Sequence, residues 1–356
     1  MFFASDNWSG AHPAIGEALI REQSGYANAY GTSPLDRKIE ARFDDLFERE
    51  VAVFFVGTGT AANSLALSSV GRPGGVVFCH KDAHIANDEG GAPEYFTGGG
   101  RLATVSGPEG KMTPSELRRI AARYPADFIH HGQPMALSLT QSTEVGTVYG
   151  LDEIDALTAV AKEGGLPVHM DGARFANALV ALDTTPAEMT WKRGVDILSF
   201  GGTKNGCWCA EAIVFMNPAQ AREMPFIRKR AAHLFSKTRF ISAQLDAYLT
   251  DDLWLDLARH SNAMAERMRI AFRKSAKARL AWETQSNEVF IILPKSAAEA
   301  ARKAGAQFYD WLTPVDQPGL VAEGEVLARC VTSFATTEAE VDRFVSFLEA
   351  EPLTNG

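Results

Sequence analysis

The stretch VAVFFVGTGTAANSLALSSV (residues 51–70) begins as a buried strand, ends that strand in a glycine turn and gives way to a helical pattern. The same alternation continues downstream. GVVFCH (75–80), RLATV (101–105), MALSLTQ (135–141), LPVHMD (166–171) and VDILSF (195–200) are predicted strands, and helix-like segments cover 113–123, 151–163 and 172–182. Strands that alternate with helices predict an α/β fold with a mostly parallel sheet and helices on both faces. In such sheets ligands bind beyond the carboxyl ends of the strands.

After residue 243 the texture changes. A long amphipathic pattern runs over 252–277, followed by predicted strands RLAWET (279–284) and EVFIIL (288–293). A helix over 296–305, strands near 307–312 and 326–332, and a last helix over 337–350 complete the chain. This predicts a large domain, 1–243, and a smaller C-terminal α/β domain, 244–356, packed together without a flexible linker. The basic run ERMRIAFRKSAKAR (266–279) interleaves Met268, Ile270 and Phe272 with cations and reads as a solvated helix face. A net charge of −9, from 35 basic and 44 acidic residues, disfavours broad binding to nucleic acid or anionic membrane. Cys207 and Cys209 form C-x-C with no nearby Cys or His to complete a zinc site, so no metal is expected and the thiols read as reduced. The opening MFFASDNWSGAHP lacks the order of a signal peptide, and no apolar run reaches the roughly 18 residues of a membrane span. The cytoplasm is the expected setting.

Two strand ends carry chemistry. Asp171 closes LPVHMD and opens GARFANAL, which suits either a ligand contact or a helix N-cap. Lys204 follows a second apolar run in DILSFGGTKNGCWCAE (196–211). Its small neighbours Gly201, Gly202 and Gly206 predict room for a bulky group against the backbone, and Thr203 offers it a hydroxyl. An acid and an amine on successive strand ends suit pyridoxal 5'-phosphate. That cofactor needs a lysine for a Schiff base, a carboxylate for its ring nitrogen, a flat group on its ring face and backbone amides for its phosphate. Lys204, Asp171, His84 (in HKDAHIANDEGG) and the turn Gly57–Thr58–Gly59 supply one each. A lone histidine is also a common structural residue. GTGTAA nearly matches G-x-G-x-x-A, so an NAD-dependent dehydrogenase is a rival, one that leaves Lys204 and Asp171 without a role.

SDN near the start, GTGTAANSLAL, AHI…EGG, HMDGARFANAL and SFGGTKNG resemble the threonine aldolase family. This is the β-eliminating lyase group of fold-type I pyridoxal-phosphate enzymes, and the resemblance runs from Phe3 to the last helix. It implies aldol cleavage of a β-hydroxy-α-amino acid (L-threonine, L-allo-threonine or phenylserine) to glycine and an aldehyde. It further implies that Lys204 bonds the cofactor, Asp171 binds its ring nitrogen, and His84 stacks on the ring and takes part in proton transfer. Gly57 and Thr58 would hold the phosphate. Ser5, Arg174 and Arg329 (in ARCVTSF) would bind the substrate carboxylate. Arg239 (in SKTRF) would reach a neighbouring subunit's phosphate, as would Tyr30 (in YANAYG), counted with the substrate-binding residues, because the family shares its sites across a dimer interface, usually within a tetramer. A guanidinium fork suits a carboxylate that must be held at a fixed angle, and Arg174 lies just after Asp171; the plainer reading of either arginine is a surface ion pair. One branch of the family carries Glu-Asn-Thr-His where LTQSTEVGT (139–147) stands, and many members have Arg in place of Ala4. The base therefore stays open between His84, a water it positions, His130 and His131. β-Elimination, transamination or racemisation on the same parts, or a non-catalytic binding protein, remain alternatives.

Overall fold

A computed structural model describes residues 1–349 of the chain. The expected strands are present as β1 (Ala52–Val56), β2 (Gly75–His80), β3 (Arg101–Val105), β4 (Gln133–Thr140), β5 (Val168–Gly172) and β6 (Ile197–Gly201). A seventh, β7 (Glu211–Phe215), was not expected. The sheet order is β1-β7-β6-β5-β4-β2-β3. Strands β2 to β6 pair in parallel, while β7 runs antiparallel to both β6 and β1. The fold is thus α/β with a mostly parallel sheet. The β6–β7 reversal turns the chain through Lys204, and its register sets Glu211 beside both Gly201 and Val56.

The helix Gly59–Ser69 starts where Thr58 caps it by accepting a hydrogen bond from Ala61 N. Its residues Ala61–Leu67 are all buried, so it is enclosed on every side rather than amphipathic. Beneath the Lys204 turn lies an aromatic cluster. Phe200 packs against Phe43, Phe175, Tyr248 and Trp254 at centroid distances of 5.1 to 6.4 Å. Burial of each such ring contributes about 1.5–3 kcal/mol, which anchors the strand end that carries the lysine.

The second sheet, of order β10-β11-β9-β8, is antiparallel throughout: β8 (Arg279–Leu280), β9 (Glu288–Pro294), β10 (Tyr309–Asp310) and β11 (Glu325–Val331). Two expected strands shrink to two residues each. After Ala281, whose N still donates to Phe290 O, the chain leaves the sheet for the loop after β4: Trp282 Nε1 donates to Val145 O, and Gln285 N and Ser286 N donate to Gly146 O. Expected position 350 of the last helix lies outside the described residues; the helix spans Glu338–Glu349.

The helix Leu253–Lys274 joins two cores. Trp254, Leu257 and Ala258 belong to the first; Met264, Ala265, Met268 and Phe272 belong to the second, which also receives Phe3. The expected boundary after residue 243 falls inside the helix Arg239–Leu249, whose Ile241, Leu245, Tyr248 and Leu249 lie in the first core. The basic face expected over 266–279 is largely paired: Arg267 with Asp342, Arg273 with Glu283.

Candidate active site

The carboxyl ends of β1, β2, β5 and β6 open on one cavity of about 290 Å³. Its lining includes Gly57, Thr58 and Gly59 after β1, His84 and Glu89 after β2, Asp171 and Ala173 at the end of β5, Thr203, Lys204 and Glu211 in the β6–β7 turn, and Asn7 from the N-terminal segment. Larger clefts of about 620 and 720 Å³ lie near the amino ends of the strands, around Pro134, Leu166 and Pro167.

Asp171 is buried and held at both oxygens. Oδ1 accepts from Ala173 N at 3.0 Å and Oδ2 from Asn63 Nδ2 at 2.9 Å. It does not cap the following helix; Arg174 stands at that cap. Asn63 Nδ2 donates also to Glu89 Oε1 at 2.8 Å, and His84 Nδ1 lies 2.9 Å from the same oxygen. A polar chain therefore runs Asp171–Asn63–Glu89–His84. The bond to Glu89 raises the His84 imidazole above its ordinary value against the pull of burial, and burial raises Glu89. Behind Asp171, His169 lies between Ser138 Oγ and Ser199 Oγ, each at 2.9 Å; burial lowers it to about 4, so it is neutral.

Lys204 sits in the single turn Thr203–Asn205, and among the described residues its Nζ makes no hydrogen bond or ion pair. Asn205 pins the turn by donating to Tyr248 Oη at 2.7 Å and Trp254 O at 2.8 Å. Glu211 accepts from Gly202 N at 3.1 Å and bonds the Thr203 side chain; burial pushes it up to about 7, with these bonds and Lys204 opposing. The small neighbours of Lys204 do not make room for a ligand, as the sequence suggested. A Cβ on Gly201 would meet Ala173 O at 2.5 Å, one on Gly202 would meet Ala210 O at 2.6 Å, and Gly206 takes φ +110° with Leu257 at 2.8 Å. They let chain segments close on one another. Open space lies instead at Gly59, where a Cβ would meet nothing within 4 Å.

Arg174 is not a surface arginine. It is buried, donates to Asp6 through Nε at 2.8 Å and Nη2 at 3.2 Å, and has Nη1 3.3 Å from Glu288 Oε2. Arg329 reaches the same cluster from β11, with its guanidinium over the Trp311 ring at 4.7 Å. Ser5 precedes Asp6 and accepts from Asn7 N.

The comparisons with known proteins give the family. Residues 3–295 match the model of the beta-eliminating lyase family. The chain belongs to that family. It is similar to a low specificity L-threonine aldolase of Pseudomonas sp., with 40% identity over 98% of this chain and 97% of the relative. Its likeness to the Pseudomonas aeruginosa protein of that description is 42% over 87% and 89%. The solved threonine aldolase of Leishmania major superposes with a TM-score of 0.89 at 29% identity, over 98% of both chains.

In this beta-eliminating lyase several expected residues stand apart from the cavity. His130 and His131 are exposed and precede the amino end of β4, where His131 packs on Phe128 and Tyr124. Since β4, β5 and β6 are parallel, the sheet's length separates these histidines from Lys204 within one chain. Tyr30 is exposed at φ 60°, below Lys229, and Arg239 donates to Ser24 O and Gly25 O. Neither lines the cavity, and Ser5, Arg174 and Arg329 also lie outside its lining, in the cluster around Asp6 and Glu288 beside Asn7. Sequence reasoning missed Asn63, Glu89, Glu144, Glu211, Asp6 and Glu288. Asn63 left a signal: a lone amide inside the apolar run AANSLAL is a buried polar group in need of a partner.

The donor set fits pyridoxal phosphate on observations of this cavity. Among the described residues the Lys204 amine has no hydrogen-bond or ion-pair partner and shares the cavity with a carboxylate fixed at both oxygens, Asn63 Oδ1 is buried without a partner, and the helix Gly59–Ser69 starts at the cavity.

Proposed function

We propose that this protein is a pyridoxal 5'-phosphate-dependent aldehyde-lyase that cleaves L-threonine or a similar β-hydroxy-α-amino acid to glycine and an aldehyde. The observation that carries the reading is the unpartnered Lys204 amine in the cavity walled by the chain Asp171–Asn63–Glu89–His84. Bound there, the cofactor supplies an electron sink for breaking the Cα–Cβ bond. Lys204 holds it covalently at one end. Asp171 would pair with the ring nitrogen, and Asn63 and Ala173 N hold its carboxylate in place for that. Gly57, Thr58, Thr203 and the N-terminus of the helix Gly59–Ser69 surround the phosphate.

Arg174 and Arg329, with Ser5, orient the substrate carboxylate. His84 is the candidate for moving the β-hydroxyl proton. Glu89 holds Nδ1, which leaves Nε2 to take that proton directly or through a water. Arg239 and Tyr30, outside the cavity, serve the site of a second copy in a homodimer or homotetramer. A cytoplasmic setting accords with four unpaired cysteines.

The test is product analysis with L-threonine. Glycine and acetaldehyde in equal amounts are expected; pyruvate or ammonia would point to another pyridoxal-phosphate reaction, and NAD(H)-dependent turnover to the dehydrogenase. Lys204→Ala is expected to lose all turnover and the absorbance near the visible edge. Full turnover in that variant sinks the reading.

A further inference from the structure

Between the two arginines assigned to the substrate carboxylate lies a carboxylate of the protein's own. Glu288 opens β9 and is fully buried. Its Oε2 stands 3.3 Å from Arg174 Nη1 and its Oε1 3.9 Å from Arg329 Nη1. Among the described residues neither oxygen accepts a hydrogen bond. Arg174 gives its Nε and Nη2 edge to Asp6, so Nη1 is the part left for a further anion, and Glu288 already faces it. On its other side Glu288 is backed by Gly146, where a Cβ would lie 3.0 Å from the Glu288 Cβ.

The charges around Glu288 come from four elements: Arg174 after β5, Arg329 on β11, Asp6 from the N-terminal segment and Glu144 from the loop after β4. Two cations thus meet three acids. Asp6 is held as an anion by Arg174 and by Asn287 Nδ2 at 3.1 Å. Glu288 has no such bonds. A fourth anion entering this buried cluster raises the cost of keeping every carboxyl ionised, and the least supported one takes a proton.

We propose that Glu288 is a proton-coupled positioning residue: an α-carboxylate engages Arg174 and Arg329 as Glu288 takes one proton from solvent. This rests on the reading of those arginines as the carboxylate site. Burial places Glu288 at about 7 before ligand arrives, with Arg174 and Arg329 opposing that rise and Glu144 and Asp6 adding to it. Below pH 7 it is already protonated and the anion binds at full strength. Well above pH 7 each unit weakens binding about tenfold, until the raised value of the liganded form is reached.

The experiment uses the cofactor-loaded protein and 3-hydroxybutyrate, which carries the carboxylate and hydroxyl but no amine. Calorimetric titrations in phosphate and in Tris, from pH 6 to 8.5, count the protons taken up. Close to one proton at pH 8, about a tenth or less at pH 6, and about fivefold weaker binding at pH 8 than at pH 7 are expected. Glu288→Gln should bind with no proton uptake and a flat pH profile; should it fail to fold, Glu288→Met takes its place. Proton-free binding by the unmodified protein, or uptake that persists in the variant, overturns the proposal. Arg329→Ala, titrated at pH 6.5, reports on the underlying reading. It should bind at least about tenfold more weakly. Equal binding, or no binding of the probe by the unmodified protein at that pH, removes the arginine assignment and this proposal with it.

Discussion

Arg174, proposed above to hold the substrate carboxylate, also holds the fold together through its buried ion pairs. Its guanidinium is raised above its ordinary value because Asp6, Glu288 and Glu144 outweigh burial. From sequence alone its removal would be expected chiefly to weaken substrate binding. In the folded chain it also neutralises two buried carboxylates. Arg174→Ala is therefore expected to raise KM and to destabilise the protein by about 3–5 kcal/mol, because breaking a buried pair leaves its partners uncompensated. Thermal melting and steady-state kinetics on the same preparation separate the two effects. A variant that melts normally would mean that Asp6 finds another donor. The residue could be picked out in HMDGARFANAL, but its partners could not: Asp6 lies 168 positions away and Asn287, which also holds Asp6, 281 positions from it.

The strand end around Lys204 makes the corresponding point for elements. Gly201 closes β6 against Ala173, so Gly201→Ala forces β5 and β6 apart at the mouth of the cavity. A destabilisation of about 2 kcal/mol or more, read from denaturant midpoints, is expected, together with loss of cofactor retention. Wild-type stability would mean that the Ala173 carbonyl can retreat. Strand–helix alternation made β1 to β6 legible, because apolar runs that end in glycine or an acid have few other readings. It did not reveal β7. EAIVF begins with a charged residue that the strand buries, and its carboxyl is satisfied by Gly202 N and the Thr203 side chain across the turn, which no local pattern shows. Strands 279–284 and 307–312 were read too long. Each keeps one further backbone bond, Ala281 N to Phe290 O and Trp311 N to Leu327 O, before Trp282 and Trp311 close over the Phe290 ring. The direction of Lys204, Asp171 and His84 into one cavity follows from parallel register, which the alternation implies; Asn63 and Glu89 depend on how the enclosed helix sits on the sheet, which it does not.

At the scale of the whole molecule, Arg239 and Tyr30 lie outside their own chain's cavity, as an assembly with shared sites requires. If the sites are shared, Lys204→Ala and Arg239→Ala chains, each inactive, should regain about a quarter of wild-type activity when unfolded and refolded together, since half the dimers are hybrids with one intact site. Full activity of Arg239→Ala alone, or no recovery in the mixture, would place each site within one chain. The N-terminal segment has a different consequence. Phe3 is buried in the second core while Asp6, three residues on, grips Arg174 at the end of the first sheet. The segment is a strap across two independently packed bodies, and its ends are secured only when both exist. Phe3 packs on Phe344 and exchanges backbone hydrogen bonds with Gln307 and Val331, so the second core fixes one end of the segment. The Asp6–Arg174 grip therefore depends on the second core holding Phe3, so a change that loosens that core is felt at the end of the first sheet.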